Sequence, residues 1–132
     1  MKNALKDAEI NPEDIDYINV HGTATPLGDI AELKAVQQIF GDHAFKLNIS
    51  STKSIVGHLL GAAGAMEASF AIMSTVDNVI PPTINHQKVD ENIDARFNLT
   101  LHKAQKKTVK YAMSNTFGFG GHNTCVIFKK AE

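Results

Sequence analysis

The chain has 132 residues, 43% of them hydrophobic, with 13 basic and 14 acidic side chains interspersed for a formal net charge of -1. That is enough apolar material for one packed domain, and the charge balance gives no footprint for nucleic acid or an anionic membrane surface. The single cysteine, Cys125, excludes an intramolecular disulfide framework, and Lys2, Lys6, Asp7 and Glu9 preclude a signal-peptide pattern at the start, so the expected compartment is the cytoplasm.

Ala4, Leu5 and Ala8 mark the tail of a helix over residues 1–10, followed by the turn signal Asn11-Pro12-Glu13-Asp14. A strand is predicted over 15–20, feeding the loop His21-Gly22-Thr23-Ala24-Thr25-Pro26-Leu27-Gly28-Asp29. Ile30, Leu33, Val36 and Phe40 recur at helical spacing, with Gly41 as the stop. The order then repeats: a short strand over 46–50, a loop from Ser51 to Gly57, and a helix from Gly57 to about Val76. Two successive strand–loop–helix units predict an α/β sheet with functional residues at the strand ends, and His21 and His58 both fall there.

The second helix is small or apolar on nearly every face, which predicts burial on all sides. Gly57, Gly61 and Gly64 each cost about 1 kcal/mol relative to alanine in a helix, so a close approach by neighbouring groups is expected there. Glu67 interrupts the apolar run and needs a buried partner. No run approaches the roughly 18 to 20 apolar residues a bilayer requires. Lys53, just before this helix, stands where a cation can be aimed at a ligand.

After Asn78 the chain turns at Pro81-Pro82 and shows no period through Asp94, an irregular connection of unusual length. Alternation at Phe97, Leu99 and Leu101, at Val109, Tyr111 and Met113, and over 124–129 predicts three strands. Between the last two lies Asn115-Thr116-Phe117-Gly118-Phe119-Gly120-Gly121-His122-Asn123, read as a mobile loop carrying bulky rings.

Three stretches together resemble the β-ketoacyl-[acyl carrier protein] synthases, the condensing enzymes of fatty-acid synthesis, which have the thiolase fold. They are the His21 to Asp29 loop, Ser51-Thr52-Lys53-Ser54 with Gly57-His58-Leu59-Leu60-Gly61-Ala62-Ala63-Gly64, and Asn115 to Gly121. The resemblance covers essentially the whole chain in the family's order; the paired histidines point to the branch that elongates acyl chains on the carrier protein, and the details resemble the type II synthase most. It implies a thiolase-like C-terminal half with a mixed sheet, incomplete because the opening strand and much of the first helix of that half are missing. Residues 1–132 are then the C-terminal part of a synthase domain whose N-terminal half, with the nucleophilic cysteine, lies outside them.

By the same resemblance, His21 and His58 present N–H groups to the malonyl thioester carbonyl and stabilise the enolate formed as carbon dioxide leaves. Lys53 organises the site with Glu67 as its carboxylate partner, and Asp29 and Glu32 are supporting carboxylates. Thr23 and Thr25 hold the pantetheine arm of the acyl carrier protein, which delivers the malonyl or acyl group. Phe119, with Phe117 beside it, is the aromatic gate. No cofactor is implied, family members are homodimers, and the isolated chain is expected to be inactive. The helix N-terminus near a histidine is expected to keep it neutral.

Taken without the resemblance, each residue has a plainer reading. His21 is a loop histidine bonded to backbone, His58 a helix cap, and Lys53 a solvated lysine. His43, His86, His102 and His122 read as surface or structural residues, and Cys125 as a buried apolar one. No third ligand stands at metal-binding spacing from His21 or His58, and no Gly-Lys-Ser/Thr ending supports a phosphate loop. A noncatalytic module that docks on a complete synthase is the alternative function. Thiolases acting on coenzyme A share the fold, but the two-histidine pattern fits them poorly.

Overall fold

The computed structural model describes residues 1–132. Helix α1 (Lys2–Asp7) leads through the Pro12–Asp14 turn, where the Asn11 N–H donates to the Asp14 carboxylate, into strand β1 (Tyr17–Asn19). Then come α2 (Gly28–Phe40), ended at Gly41 as expected, β2 (Asn48–Ser50), the single turn α3 (Lys53–Val56) and α4 (Ala63–Asp77). Two short strands, β3 (Val79–Ile80) and β4 (Gln105–Lys106), pair with each other, and β5 (Tyr111–Gly118) and β6 (His122–Lys129) form a long hairpin.

The main sheet has the order β2-β1-β5-β6. Strand β1 runs parallel to both neighbours, pairing Ile18 with Ile49 and with Met113, and β6 is antiparallel to β5. The sheet is therefore mixed. Its central strands are covered on both sides, and the alternation of side chains sorts them into two cores. Ile18, Val20, Ile49 and Met113 pack with Leu33, Val36 and Phe40 of α2, whereas Tyr17 and Ala112 pack with Ala71 of α4 and with Ile80 and Val109. Helix α4 ends at Asn78 in the left-handed region, and the Asn78 side-chain oxygen accepts from the Val109 N–H and the Lys130 ammonium. No helix is long and apolar enough to cross a membrane.

Five sequence expectations change. The helix predicted from Gly57 starts at Ala63, because Gly57 and Leu60 take positive φ and break the run. Nor is α4 buried on all sides: Met66, Ile72, Met73 and Val76 face outward. Nothing approaches Gly57 or Gly61, so close contact is confined to Gly64. The Phe97–Leu101 alternation gives isolated bridges, Asn48 with Asn98 and Thr83 with Leu101, in place of a strand. The loop expected over 115–123 is mostly hairpin, since β5 and β6 stay paired up to Gly118 and His122 and only Phe119, Gly120 and Gly121 turn. Cys125 lies on β6, half-buried against the larger core, and burial pushes its thiol above the usual range.

Candidate active site

Strands β1 and β2 are parallel neighbours, so the loops leaving their C-terminal ends emerge side by side. The loop after β1 begins at His21 and turns at Gly22, whose φ is +39°. A Cβ at Gly22 would lie 2.7 Å from the Ser51 Cβ, and the Ser51 hydroxyl donates to the Gly22 carbonyl at 2.7 Å. Only glycine lets the two loops meet this closely.

The backbone of His21 is held by a carboxylate from α2. Glu32 accepts from the N–H groups of His21 at 3.0 Å and Gly22 at 3.1 Å, and from the Asn115 side-chain amide of β5 at 3.1 Å. Burial pushes the Glu32 carboxyl up from its usual range, and these donors oppose the shift.

The imidazole of His21 is held from the other side. Lys53 opens α3 and is only 8% exposed, and its ammonium forms an ion pair with Glu67 of α4. The Lys53 Nζ lies 3.3 Å from His21 Nδ1, and the Phe117 backbone N–H donates to the same nitrogen at 3.3 Å. With Nδ1 accepting, the proton of the neutral ring sits on Nε2. Burial first, then the Lys53 cation and then His58, push the His21 pKa down to about 4. At His21 neutrality thus comes from desolvation and a neighbouring cation.

His58 lies in the exposed segment between α3 and α4, and the Leu60 N–H donates to its Nδ1 at 3.2 Å. The same reasoning places its proton on Nε2. The two rings stand edge to face with centroids 5.5 Å apart. Two imidazoles this close, both protonated on Nε2, can be reached by one carbonyl-sized group.

Strand β5 completes the arrangement by alternating between layers. Asn115 reaches Glu32 on the α2 side, and the Thr116 hydroxyl donates to Glu67 Oε2 at 3.4 Å on the α4 side. The Phe117 ring packs on His21 with centroids 5.2 Å apart. Phe119, at the hairpin tip, is 94% exposed and makes no ring contact, so Phe117 is the aromatic that meets the histidine.

Thr23, half-buried, and Thr25, exposed, lie together on the loop before α2, their hydroxyls 3.3 Å apart. Burial raises the Asp29 carboxyl, opposed by the N–H groups of Ala24, Thr23 and Thr25, and its Oδ1 is buried without a partner. The structure therefore gathers His21, Lys53, His58, Glu32, Glu67 and Phe117, leaves Thr23 and Thr25 on the adjoining loop and Asp29 in the first turn of α2, and sets Phe119 apart. Asn115 and Thr116 were given no role in the sequence, where they open the stretch read as a mobile loop. A cavity of about 400 Å³ lies behind the turn, sharing Gly22, Thr25, Asp29 and Glu32 but neither histidine. No three His, Cys, Asp or Glu side chains come together as a metal site.

Residues 1–87 match the sequence family described as beta-ketoacyl synthase, C-terminal domain. The 3-oxoacyl-[acyl-carrier-protein] synthase 2 of Coxiella burnetii is 48% identical over 130 residues, which is 98% of this chain and 31% of the relative. The enzyme of the same name from Staphylococcus aureus is 47% identical over 132 residues, again 31% of its length. Among solved structures, a beta-ketoacyl synthase from Burkholderia phymatum superposes with a TM-score of 0.92 at 42% identity, covering 100% of this chain and 31% of that one. A type II polyketide ketosynthase in complex with its acyl-carrier protein, bound to the hexaketide, gives a TM-score of 0.93 at 31% identity, covering 99% and 32%. The chain thus spans about a third of the length of the proteins it resembles, and its fold is that of part of a thiolase-like ketosynthase.

Proposed function

Because the chain belongs to the beta-ketoacyl synthase C-terminal domain family, we propose that it supplies the histidine–lysine portion of a decarboxylating condensation site in fatty-acid biosynthesis. In this reading residues 1–132 are the C-terminal part of a 3-oxoacyl-acyl carrier protein synthase domain, an acyltransferase. The observation that carries it is the pair of imidazoles 5.5 Å apart, each with its Nδ1 occupied as an acceptor.

The chemistry follows from where charge develops. When the malonyl carboxylate leaves as carbon dioxide, the electrons of the breaking C–C bond move onto the thioester as an enolate. Its oxygen becomes negative. Donors fixed toward that oxygen before reaction stabilise the transition state more than the ground state, and one such donor typically contributes a factor of about 10² to 10³ in rate. His21 and His58 donate from Nε2. The enolate carbon then attacks an acyl thioester and expels a thiolate, with no proton taken from either imidazole.

Lys53 keeps Nδ1 of His21 an acceptor, and Glu67 holds Lys53. Thr23 and Thr25, on the rim, hold the pantetheine arm of an acyl carrier protein carrying the malonyl group. Phe117 packs beside His21, and Phe119 on the free hairpin tip has room to swing as a gate. The acyl chain needs a nucleophilic thiolate. Cys125 does not provide it, being half-buried on β6 with its thiol pKa raised. Turnover therefore requires a cysteine from outside these residues, and the full enzyme works as a homodimer in the cytoplasm.

The test is complementation. The chain is mixed with the N-terminal two-thirds of a 3-oxoacyl-acyl carrier protein synthase 2, and ketoacyl product from malonyl- and acyl-acyl carrier protein is followed by mass spectrometry. Product is expected from the mixture, reduced about 10²-fold or more by His21→Ala or His58→Ala, and none from the chain alone. Product from the chain alone would overturn the reading.

The outward apolar residues Met66, Ile72, Met73 and Val76 of α4 favour a second reading, a noncatalytic module docking on a complete synthase. Capture of a full synthase with no change in its turnover would support it.

A further inference from the structure

The Lys53–Glu67 pair is held by a third group to which the sequence assigned no role. Glu67 is buried and has two oxygens to satisfy. Oε1 meets the Lys53 ammonium and Oε2 accepts from the Thr116 hydroxyl at 3.4 Å. Thr116 reaches it only because the facing position on α4 is glycine. A Cβ at Gly64 would stand 3.3 Å from Thr116 Oγ1, tighter than most such contacts, and 3.8 Å from its methyl group, an ordinary one. The next residue of the strand, Phe117, donates its N–H to His21 Nδ1, the atom that Lys53 also faces. Thr116 thus stands where the strand touching the imidazole crosses the carboxylate that anchors the lysine.

We infer that Thr116 is a positioning residue: its hydroxyl orients the Glu67 carboxylate so that the Lys53 ammonium stays aimed at His21 Nδ1, with Gly64 as the gap that admits it. The inference rests on the reading of His21 as an Nε2–H donor for its consequence in catalysis, but the placement can be tested without turnover. Without the hydroxyl, Oε2 is left buried and unpaired, and the ionised carboxylate loses stabilisation. The carboxylate then turns from its present orientation and draws the Lys53 ammonium away from Nδ1. Less positive charge faces Nδ1, and the imidazole accepts a proton more readily. The titratable groups around that ring are Lys53 from α3, His58 from the following segment, and Glu67 of α4 behind the lysine; Glu32 of α2 faces its backbone.

The experiment is an NMR titration of the His21 imidazole in the 132-residue chain and in Thr116→Val, Thr116→Ser and Gly64→Ala. The parent value is expected near 4, with Thr116→Val raised by about one unit, as expected for a weakened neighbouring charge. Thr116→Ser should titrate as the parent. Gly64→Ala favours the helix by propensity while crowding Thr116, so it is expected to shift His21 the same way by a smaller amount with no loss of fold. In the complemented enzyme, Thr116→Val should lower kcat with little change in KM, and serine should restore it.

An unchanged His21 titration in both Thr116→Val and Gly64→Ala overturns the inference, as does a Thr116→Ser chain that behaves like the valine variant. If the titrations shift as expected but complementation gives no product from the parent, the placement of Thr116 stands and the condensing-enzyme reading fails.

Discussion

Helices α2 and α4 cover opposite faces of one sheet with opposite polarity. Helix α2 turns Leu33, Val36 and Phe40 inward and leaves Lys34, Gln37 and Gln38 in water, the usual arrangement for a surface helix. Helix α4 turns Ala63, Ala71, Ser74 and Thr75 inward around Glu67 and exposes Met66, Ile72, Met73 and Val76. Each helix also buries one glutamate against the strand ends. Glu32 is satisfied by three neutral N–H donors, whereas Glu67 meets an ammonium and a hydroxyl. The α2 layer holds the molecule by apolar burial. The α4 layer brings a charge close to the sheet and depends on that charge being met.

The strongest challenge to this contrast is Glu67→Ala, which leaves Lys53 buried without its partner. It should cost about 3–5 kcal/mol in chemical denaturation, and Lys53→Met/Glu67→Leu should recover most of that loss. If the double variant is as unstable as the single one, packing and not charge holds the α4 side, and the contrast collapses. On the α2 side, Leu33→Ala should cost about 3 kcal/mol and leave the His21 titration untouched. Glu32→Gln is intermediate. It keeps the shape but sets an amide against N–H donors, so a loss of about 1–3 kcal/mol is expected.

Acid sharpens the contrast further. The His21 pKa falls from 6.5 to about 4 on folding, so between those values the unfolded chain binds more protons. Stability from this group is complete above about 6.5 and is lost as pH falls toward 4. Asp29 and Glu32 are shifted the opposite way, upward, and oppose this loss just above their ordinary values. Unfolding midpoints across that window should decline more steeply in the parent than in His21→Gln; equal slopes would contradict the assignment. The smallest effect belongs to Met73→Lys on the outer face of α4, within about 0.5 kcal/mol for the chain alone.

The α2 half of the molecule was legible because its signals are local. The spacing of Ile30, Leu33, Val36 and Phe40, the Gly41 stop and the Ile15–Val20 run each speak for their own element. Around α4 the signals depend on distant residues. An apolar face predicts burial, yet Met66 and Met73 face outward while small residues and Glu67 face the sheet, an order that propensity cannot reveal. The polar run Asn115-Thr116 looks like a loop until its partners are known, and those partners, Glu32 and Glu67, lie 83 and 49 residues away. The pairing of Lys53 with Glu67 and the meeting of the two histidines were read through the family motifs. The tautomers were not, because they depend on the N–H groups of Leu60 and Phe117, which every such residue carries alike.

The amide at Phe117 has a consequence for change over time. A main-chain N–H survives every substitution except proline, so the group that helps keep the His21 proton on its outer nitrogen does not vary with the ring beside it. The aromatic at that position is free to be widened, narrowed or exchanged to suit a different substrate, while the imidazole keeps its orientation.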